Sequence, residues 1–157
     1  MQSFSSPFFR KASASDQEKI FSLVKQVLDE YGLKTNPQVT DRDISDIQGS
    51  YFDNGGWFAV LEVDGEIIGS YGLFKLDNHI CELRKMYLLP SQQGKGFGKM
   101  LMEDAERKAR ELGFTEMVLE TNTKLDKALG LYKKFGFREY SPDHLSDRCD
   151  LAMRKRL

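Results

Sequence analysis

Apolar residues recur at the spacing of one helix face in three stretches of the chain. These stretches cover residues 20–31, 97–112 and 125–135, and a glycine directly follows each of them. Ahead of the first stretch, Ser15 and Glu18 form the Ser-x-x-Glu pattern of a capping box, which marks a helix start. Because glycine is the usual residue just beyond a helix end, these patterns predict three amphipathic helices.

Runs of apolar and β-branched residues between the helices predict β-strands. Two of these runs flank Asp64-Gly65, a dipeptide typical of tight hairpins, and Pro90 closes the next run. We expect strands at residues 7–11, 57–63, 66–76, 79–89, 114–121, 137–140 and 148–157.

Thr40 and Asp43 repeat the cap pattern and predict a second, short helix ahead of the hairpin. The predicted order is strand, two helices, three meandering strands, helix, strand, helix and two strands. This order predicts an α/β (α+β) fold with one mixed, mostly antiparallel central sheet of six to seven strands and helices on both faces.

The composition narrows the class of protein. The chain has 157 residues, 40% of them hydrophobic, which suits a single domain spanning residues 1–157. Its 23 basic and 24 acidic residues give a net charge of -1, so we expect neither a nucleic-acid nor a membrane partner. Cys81 and Cys149 match no zinc spacing, and no metal is expected. No signal peptide is recognisable, so we expect a cytoplasmic protein.

The stretch QQGKGFGKML, residues 92–101, carries the most specific chemistry. Gly94, Gly96 and Gly98 precede a predicted helix, whose first N–H groups have no partner within the helix. Glycines let such a backbone approach a phosphate closely, so we predict an anion site on these amides. The spacing fits neither a Walker loop nor a dinucleotide-binding fingerprint. An ordinary tight turn, or a site for another phosphate ligand such as a nucleotide, remains an alternative.

Two segments of the chain resemble the GNAT N-acetyltransferase superfamily. Gln93-x-x-Gly96-x-Gly98 is similar to motif A of that family, and its flanks, LRKMYLLPSQQGKGFGKML, resemble the family's fourth strand, loop and third helix. Downstream, ALGLYKKFGF at residues 128–137 resembles the family's Ala-x-x-Leu-Tyr-x-x-x-Gly-Phe segment. The resemblance covers roughly residues 57–140.

The resemblance implies that acetyl-CoA is the co-substrate, with its pyrophosphate on the amides of the glycine-rich loop. Its pantetheine arm would follow the edge of the fourth strand, where an N–H near Met86 would polarise the thioester carbonyl. Many family members have Asn where this chain has Leu125, and Asn122 could take over that contact. The implied cofactor-binding residues are Met86, Tyr87, Leu88, Gln93, Gly94, Lys95, Gly96, Phe97, Gly98, Lys99, Asn122 and Tyr132.

Two residues have implied catalytic roles. Glu82 lies where some family members carry a general base, although a structural or substrate-positioning carboxylate is an equal alternative. Tyr132 matches the family tyrosine that protonates the departing thiolate, and the alternative is a tyrosine packed in a helix face. Simple strand alternation places Glu82, Arg84 and Met86 on one face and Leu83, Lys85 and Tyr87 on the other.

The implied function is acetyl transfer to a primary amine, of a small molecule or a peptide, by direct attack in a ternary complex. A non-catalytic acetyl-CoA-binding or sensing module on the same fold is the alternative. A homodimer is compatible with the resemblance, because dimers are common in the family. The acceptor is expected between residues 20–50 and the Glu82 strand. Acidic residues of that region favour a cationic acceptor such as a polyamine, an aminoglycoside or a lysine side chain; they are Asp29, Glu30, Asp41, Asp43, Asp46 and Asp53. A small amino acid or amine, or a protein N-terminus, remains open as the acceptor.

Overall fold

The computed structural model describes residues 5–157, which form one continuous seven-stranded sheet in this part of the chain. The strands are β1 (Phe8–Lys11), β2 (Trp57–Val63), β3 (Glu66–Lys75), β4 (Ile80–Leu88), β5 (Glu116–Thr121), β6 (Arg138–Tyr140) and β7 (Leu151–Arg156). Their spatial order is β1-β2-β3-β4-β5-β7-β6. Among these strands only β4 and β5 pair in parallel; all other neighbours are antiparallel. The mixed, mostly antiparallel sheet predicted from the sequence is confirmed.

The three predicted amphipathic helices are present. They are α1 (Gln17–Glu30), α2 (Phe97–Glu111) and α3 (Asp126–Lys134). The predicted short helix is instead a 3₁₀ turn, Arg42–Asp46, followed by a π turn, Gln48–Phe52. Further 3₁₀ turns lie at Ala14–Asp16 and Pro90–Gln92.

The capping box before α1 was predicted at the wrong residues. It consists of Ser13 and Asp16 rather than Ser15 and Glu18, because a 3₁₀ turn begins at Ala14 and moves the cap two residues earlier. The Ser13 N–H donates to Asp16 Oδ2 at 2.8 Å. Asp16 also accepts two hydrogen bonds from Arg10 on β1, so one carboxylate caps the helix start and ties it to the sheet.

Helical layers cover both faces of the sheet. Gly69 and Gly72 lie three residues apart on β3 and therefore face opposite sides. A Cβ atom at Gly69 would meet Leu101 of α2, whereas one at Gly72 would meet Tyr51 of the π turn. Helix α1 lies beside the 3₁₀ and π turns, since the Gln17 side chain accepts a hydrogen bond from the Ile47 N–H at 3.2 Å.

A β-bulge in β4 changes which side chains share a face. Arg84 pairs with Gly72 and Tyr87 with Ser70, so one extra residue of β4 is accommodated opposite Tyr71. Lys85 adopts a positive φ of 53° at this point. Because Ser70 and Gly72 point to the same side, Arg84 and Tyr87 do so too. The simple alternation expected for residues 82–87 is therefore wrong beyond Arg84.

Strands β4 and β5 diverge beyond a short paired segment. Their parallel pairing runs from Ile80–Glu116 to Glu82–Val118, and the remaining residues of β4 have no partner on β5. The other side of β4 stays paired to β3 as far as Leu88. The sheet is thus forked, and the edge of β4 that contains the bulge faces the opening.

Candidate functional site

A cavity of about 580 Å³ fills the fork between β4 and β5. Its walls come from β4, the end of β5, the loop before α2, and α3. The end of α1, the segment that follows it, and residues 144–149 supply the rest. The cavity therefore joins the glycine-rich loop to the strand edge and to the helix that carries Tyr132.

The glycine-rich loop presents free amides at the start of α2. Gly94 and Gly96 have φ of 78° and 86°, in the left-handed region that favours glycine, and Gly96 is the N-cap of the helix. The Met100 N–H donates to Gly96 O, so the N–H groups of residues 97–99 precede the first intrahelical bond. This arrangement suits an anion, as the glycine spacing predicted.

Only part of the predicted loop set lines the cavity. Gln93, Gly94 and Gly98 do so. The other four residues of the set belong to the same turn or the helix start without lining the cavity; they are Lys95, Gly96, Phe97 and Lys99. The two lysine side chains are exposed, with Lys95 close to Gln92 and Lys99 close to Glu103.

Gln93 connects the loop to both sides of the cavity. Its Nε2 donates to Leu88 O on β4 at 3.2 Å, and its Oε1 accepts from Lys127 Nζ on α3 at 3.2 Å. A Cβ atom on Gly98 would lie 3.5 Å from Leu131 of α3, so the helices approach closely here. The loop is thereby held between the end of β4 and α3.

The predicted strand-edge residues also line the cavity. Met86, Tyr87 and Leu88 follow the bulge on the unpaired edge of β4. Burial raises the pKa of Tyr87 to about 12, so its phenol is protonated at neutral pH. Backbone N–H and C=O groups of this edge can pair with an extended ligand as a further strand would.

Tyr132 and Asn122 both reach the cavity. Tyr132 is 6% exposed, and its ring packs edge-on against Phe137. Burial raises the pKa of Tyr132, which keeps its hydroxyl protonated at neutral pH. The Asn122 Nδ2 donates to Arg148 O at 2.9 Å, so this side chain also holds the loop before β7.

Glu82 lines the cavity and forms an ion pair with Arg84. Arg84 Nε donates to Glu82 Oε1, and the guanidinium of Arg84 lies 3.8 Å from the centre of the Phe74 ring. The Glu82 side chain is 15% exposed. Residues 82 and 84 share a face of β4, as the sequence predicted for this part of the strand.

The acidic residues predicted to favour a cationic acceptor do not line this cavity. None of the six belongs to its walls within the part of the chain that the structure describes. Asp41 and Asp43 are instead engaged in ion pairs, and Asp43 and Asp46 line a second cavity of about 600 Å³. The walls of the main cavity therefore do not support a cationic acceptor through these six residues, and the acceptor's charge stays a prediction.

The ion pairs form a group that the sequence analysis missed, which we call the ion-paired wall: Asp41, Asp43, Lys85 and Arg148. Arg148 donates to both oxygens of Asp41, at 2.7 and 2.8 Å. Lys85 Nζ lies 3.4 Å from Asp41 Oδ1 and 3.3 Å from Asp43 Oδ1. Lys85 and Arg148 line the main cavity. No motif signals this group, because its members come from three segments of the chain that are far apart in the sequence.

Two kinds of feature are absent from residues 5–157. No helix in this range has the length and apolar character needed to cross a bilayer. The same range contains no group of three or more His, Cys, Asp or Glu side chains arranged to hold a metal ion.

The comparison with known proteins decides the family. Residues 22–137 match the model of the "Acetyltransferase (GNAT) family". The chain belongs to the GNAT family. The resemblance inferred from its two motifs is thus confirmed, and the protein is an acyltransferase of this family.

Relatives of this GNAT protein include "Uncharacterized N-acetyltransferase YjgM" of Escherichia coli (strain K12). The two are 37% identical over 137 residues, covering 84% of this chain and 82% of the relative. "Uncharacterized N-acetyltransferase YvbK" of Bacillus subtilis (strain 168) is 33% identical, with 73% and 77% covered.

Solved structures share the fold at lower identity. A GNAT acetyltransferase from Staphylococcus aureus Mu50 matches with a TM-score of 0.90 and 22% identity, covering 96% of this chain and 99% of the other. The paia N-acetyltransferase from Thermoplasma acidophilum, solved in complex with coenzyme A, has a TM-score of 0.75 and 22% identity, with 98% and 100% covered.

Proposed function

We propose that this protein transfers an acetyl group from acetyl-CoA to a primary amine by direct attack in a ternary complex. The observation that carries the proposal is the cavity in the fork of the sheet. It connects the free amides at the start of α2, the unpaired edge of β4 and the buried Tyr132. A long ligand that carries a phosphate group and, further along, a thioester fits the order of these features along the cavity.

The pyrophosphate, the pantetheine and the thioester of acetyl-CoA each have a place in this proposal. The pyrophosphate accepts hydrogen bonds from the amides of residues 94–99, at the positive end of the α2 dipole, whereas the Gln93 N–H already donates to Pro90 O at 3.3 Å. The pantetheine pairs with the edge of β4 at Met86, Tyr87 and Leu88, beside Asn122. The main-chain N–H near Met86 donates to the thioester oxygen and stabilises the oxyanion that develops there.

The reaction forms an N–C bond and breaks the thioester C–S bond. An alkyl ammonium has a pKa near ~10.4, so the amine must first lose a proton, directly or through water, before its lone pair can attack. We propose Glu82 as the base or as the group that positions the amine. CoA leaves as a thiolate and takes a proton from the Tyr132 hydroxyl, which is protonated at neutral pH because burial raises its pKa. The attacking nitrogen releases its second proton as the amide forms, and this proton restores the Tyr132 hydroxyl through water.

The test is an initial-rate assay of free CoA thiol with a panel of primary amines. Tyr132→Phe should lower kcat by about 10²- to 10⁴-fold, because it removes the proton donor and leaves the ring in place. Tyr140→Phe is the matched control: Tyr140 lies on β6 away from the cavity, and this variant should keep the rate of the native protein.

The outcomes separate the two readings of the fold. Unchanged turnover in Tyr132→Phe would overturn the proposed acid. CoA binding without turnover on any amine would instead favour the non-catalytic acetyl-CoA-binding module.

A further inference from the structure

Arg84 stands between two cavities. Together with Val39 and Thr40, it lines both the main cavity and the second cavity, which lies beside the 3₁₀ and π turns. The second cavity is also lined by Phe74, the ring on which the Arg84 guanidinium stacks. The Arg84 guanidinium is therefore within reach of a ligand in either cavity.

The terminal nitrogens of Arg84 are available to a ligand. Its Nε is occupied by Glu82, but Nη1 and Nη2 donate to no acceptor among residues 5–157. Neither nitrogen is a buried atom lacking a partner, and the side chain is 30% exposed. Two terminal nitrogens carry four N–H donors in a planar arrangement that matches a carboxylate.

The other Lys and Arg side chains lining the main cavity, within the described part of the chain, already have protein acceptors. Lys85 donates to Thr40 O at 3.0 Å and is ion-paired to two carboxylates. Arg148 is engaged by Asp41, and Lys127 donates to Gln93. Arg84 is therefore the cation of this set that is best able to bind an anionic group of a ligand.

Glu82 supplies the complementary acceptor beside it. The pair uses only Oε1 of Glu82, and Oε2 forms no hydrogen bond with residues 5–157. The neighbouring cavity carboxylate Glu120 also has one engaged oxygen, since its Oε1 accepts the Ser146 N–H at 2.8 Å, but it forms no ion pair with a Lys or Arg of residues 5–157. Glu82 and Arg84 thus present an acceptor and several donors side by side on one face of β4.

We propose that the acetyl acceptor is an α-amino carboxylate, an amino acid or a close analogue, whose carboxylate binds Arg84 and whose amine lies beside Glu82. In such a compound the amine and the carboxylate share one carbon, so the two groups are as close together as the paired side chains that bind them. The inference rests on the proposed function, because it names the amine whose nitrogen forms the new N–C bond as the thioester C–S bond breaks.

The other walls of the main cavity indicate which kind of side chain the acceptor amino acid carries. Helix α1 and the segment after it contribute an apolar wall; its residues are Val27, Leu28, Tyr31, Leu33 and Val39. Val39 is 71% exposed and lines both cavities, so an apolar group at the entrance would cover it. The proposal therefore names amino acids with apolar or aromatic side chains.

The test uses matched pairs of acceptors that differ only in the carboxylate. Phenylalanine is compared with phenethylamine, and leucine with isoamylamine, at saturating acetyl-CoA. The native protein should have a kcat/KM at least about 10-fold higher for each amino acid than for its amine, the value of a charged hydrogen-bonded contact. Arg84→Met also removes the ion-pair partner of Glu82, so it should lower kcat/KM for both kinds of acceptor, but more for the amino acids, and the ratio between each amino acid and its amine should fall to about one.

Two controls isolate the contact. Arg84→Lys keeps the charge but not the planar donors and should restore part of the preference. Arg42→Met removes a cation that lines only the second cavity, and should keep the full preference. Equal CoA-induced stabilisation of all variants shows that each one is folded and binds the cofactor.

The results distinguish this inference from the proposed function. Transfer to the amines and the amino acids with equal kcat/KM, unchanged by Arg84→Met, would overturn the inference alone. A preference lost equally in Arg42→Met would also overturn it, because general charge and not a contact would be responsible. No transfer to any compound of the panel would overturn both.

Discussion

The loop that opens α2 and the ion-paired wall border the same cavity, but they are built by different means. The loop is made of backbone: two glycines with positive φ and amides that precede the first helical hydrogen bond. The wall is made of charged side chains, with Asp41 buried between Lys85 and Arg148. A change in the loop should therefore affect ligand binding, whereas a change in the wall should affect the stability of the fold.

The largest effect is expected from Asp41→Ala. This change leaves Arg148 without a carboxylate partner and Lys85 with Asp43 alone in a mostly buried setting, and breaking a buried pair in this way costs about 3–5 kcal/mol of unfolding free energy. Denaturant unfolding measures the loss. Asp29→Ala is the matched control, because Asp29 pairs with Lys25 in solvent and such pairs contribute only about 0–1 kcal/mol. Equal losses in the two variants would contradict the importance of the wall.

Acid should weaken ion-paired regions and leave the amide loop unaffected. Hydrogen bonds from Arg10 lower the pKa of Asp16 from 3.8 to about 2, against the opposing effect of burial. Burial also opposes the shift at Asp41, but hydrogen bonds from Arg148 and the Asn36 N–H outweigh it and lower that pKa. A lowered folded-state pKa confers stability that is present above the unfolded value and is lost as pH falls through the folded value.

Asp16 alone should therefore account for about 2 kcal/mol, lost as the pH falls from about 4 to about 2. Unfolding curves across this range measure the slope, and Asp16→Asn should flatten it. If the slope were the same in Asp16→Asn, the Arg10 pair would not be its source.

A smaller effect is expected in the loop from Gly96→Ala. No atom lies within 4 Å of the added Cβ, so the cost comes from the φ of 86° and amounts to about 1–2 kcal/mol. Relaxation of that strain should move the amides and weaken CoA binding. Gly130→Ala is the control, because Gly130 lies within α3 with the same open space, and this change should stabilise the protein by about 0.5–1 kcal/mol. Weaker CoA binding in Gly130→Ala would contradict a local effect of the loop.

The contrast between the loop and the wall also separates the features that the sequence predicted correctly from those that it did not. The loop, the Asp64-Gly65 hairpin and the glycine ends of the helices depend on neighbours in the chain, and the structure has them at the expected places. The cap of α1 was wrong by two residues, since Ser13 with Asp16 and Ser15 with Glu18 have the same spacing, and the 3₁₀ turn at Ala14 and the contact with Arg10 both involve the first pair.

The wall and the bulge could not be predicted from local patterns. Asp41 and Arg148 are separated by 107 positions, and no spacing rule connects them. The bulge depends on the register between β3 and β4, and the Lys85 side chain next to it reaches across to Thr40. Such features arise from tertiary contacts, so the faces assigned to residues beyond Arg84 were wrong.

The most direct test of the account is the ligand selectivity of the cavity. Thermal unfolding would be followed with acetyl-CoA, CoA, ATP and NAD side by side. We predict that acetyl-CoA and CoA stabilise the protein, by about 2.7 kcal/mol at a concentration of 100 times Kd, and that ATP and NAD do not. No stabilisation by either CoA compound at millimolar concentration, or equal stabilisation by all four ligands, would contradict the assignment of the forked sheet as an acetyl-CoA site.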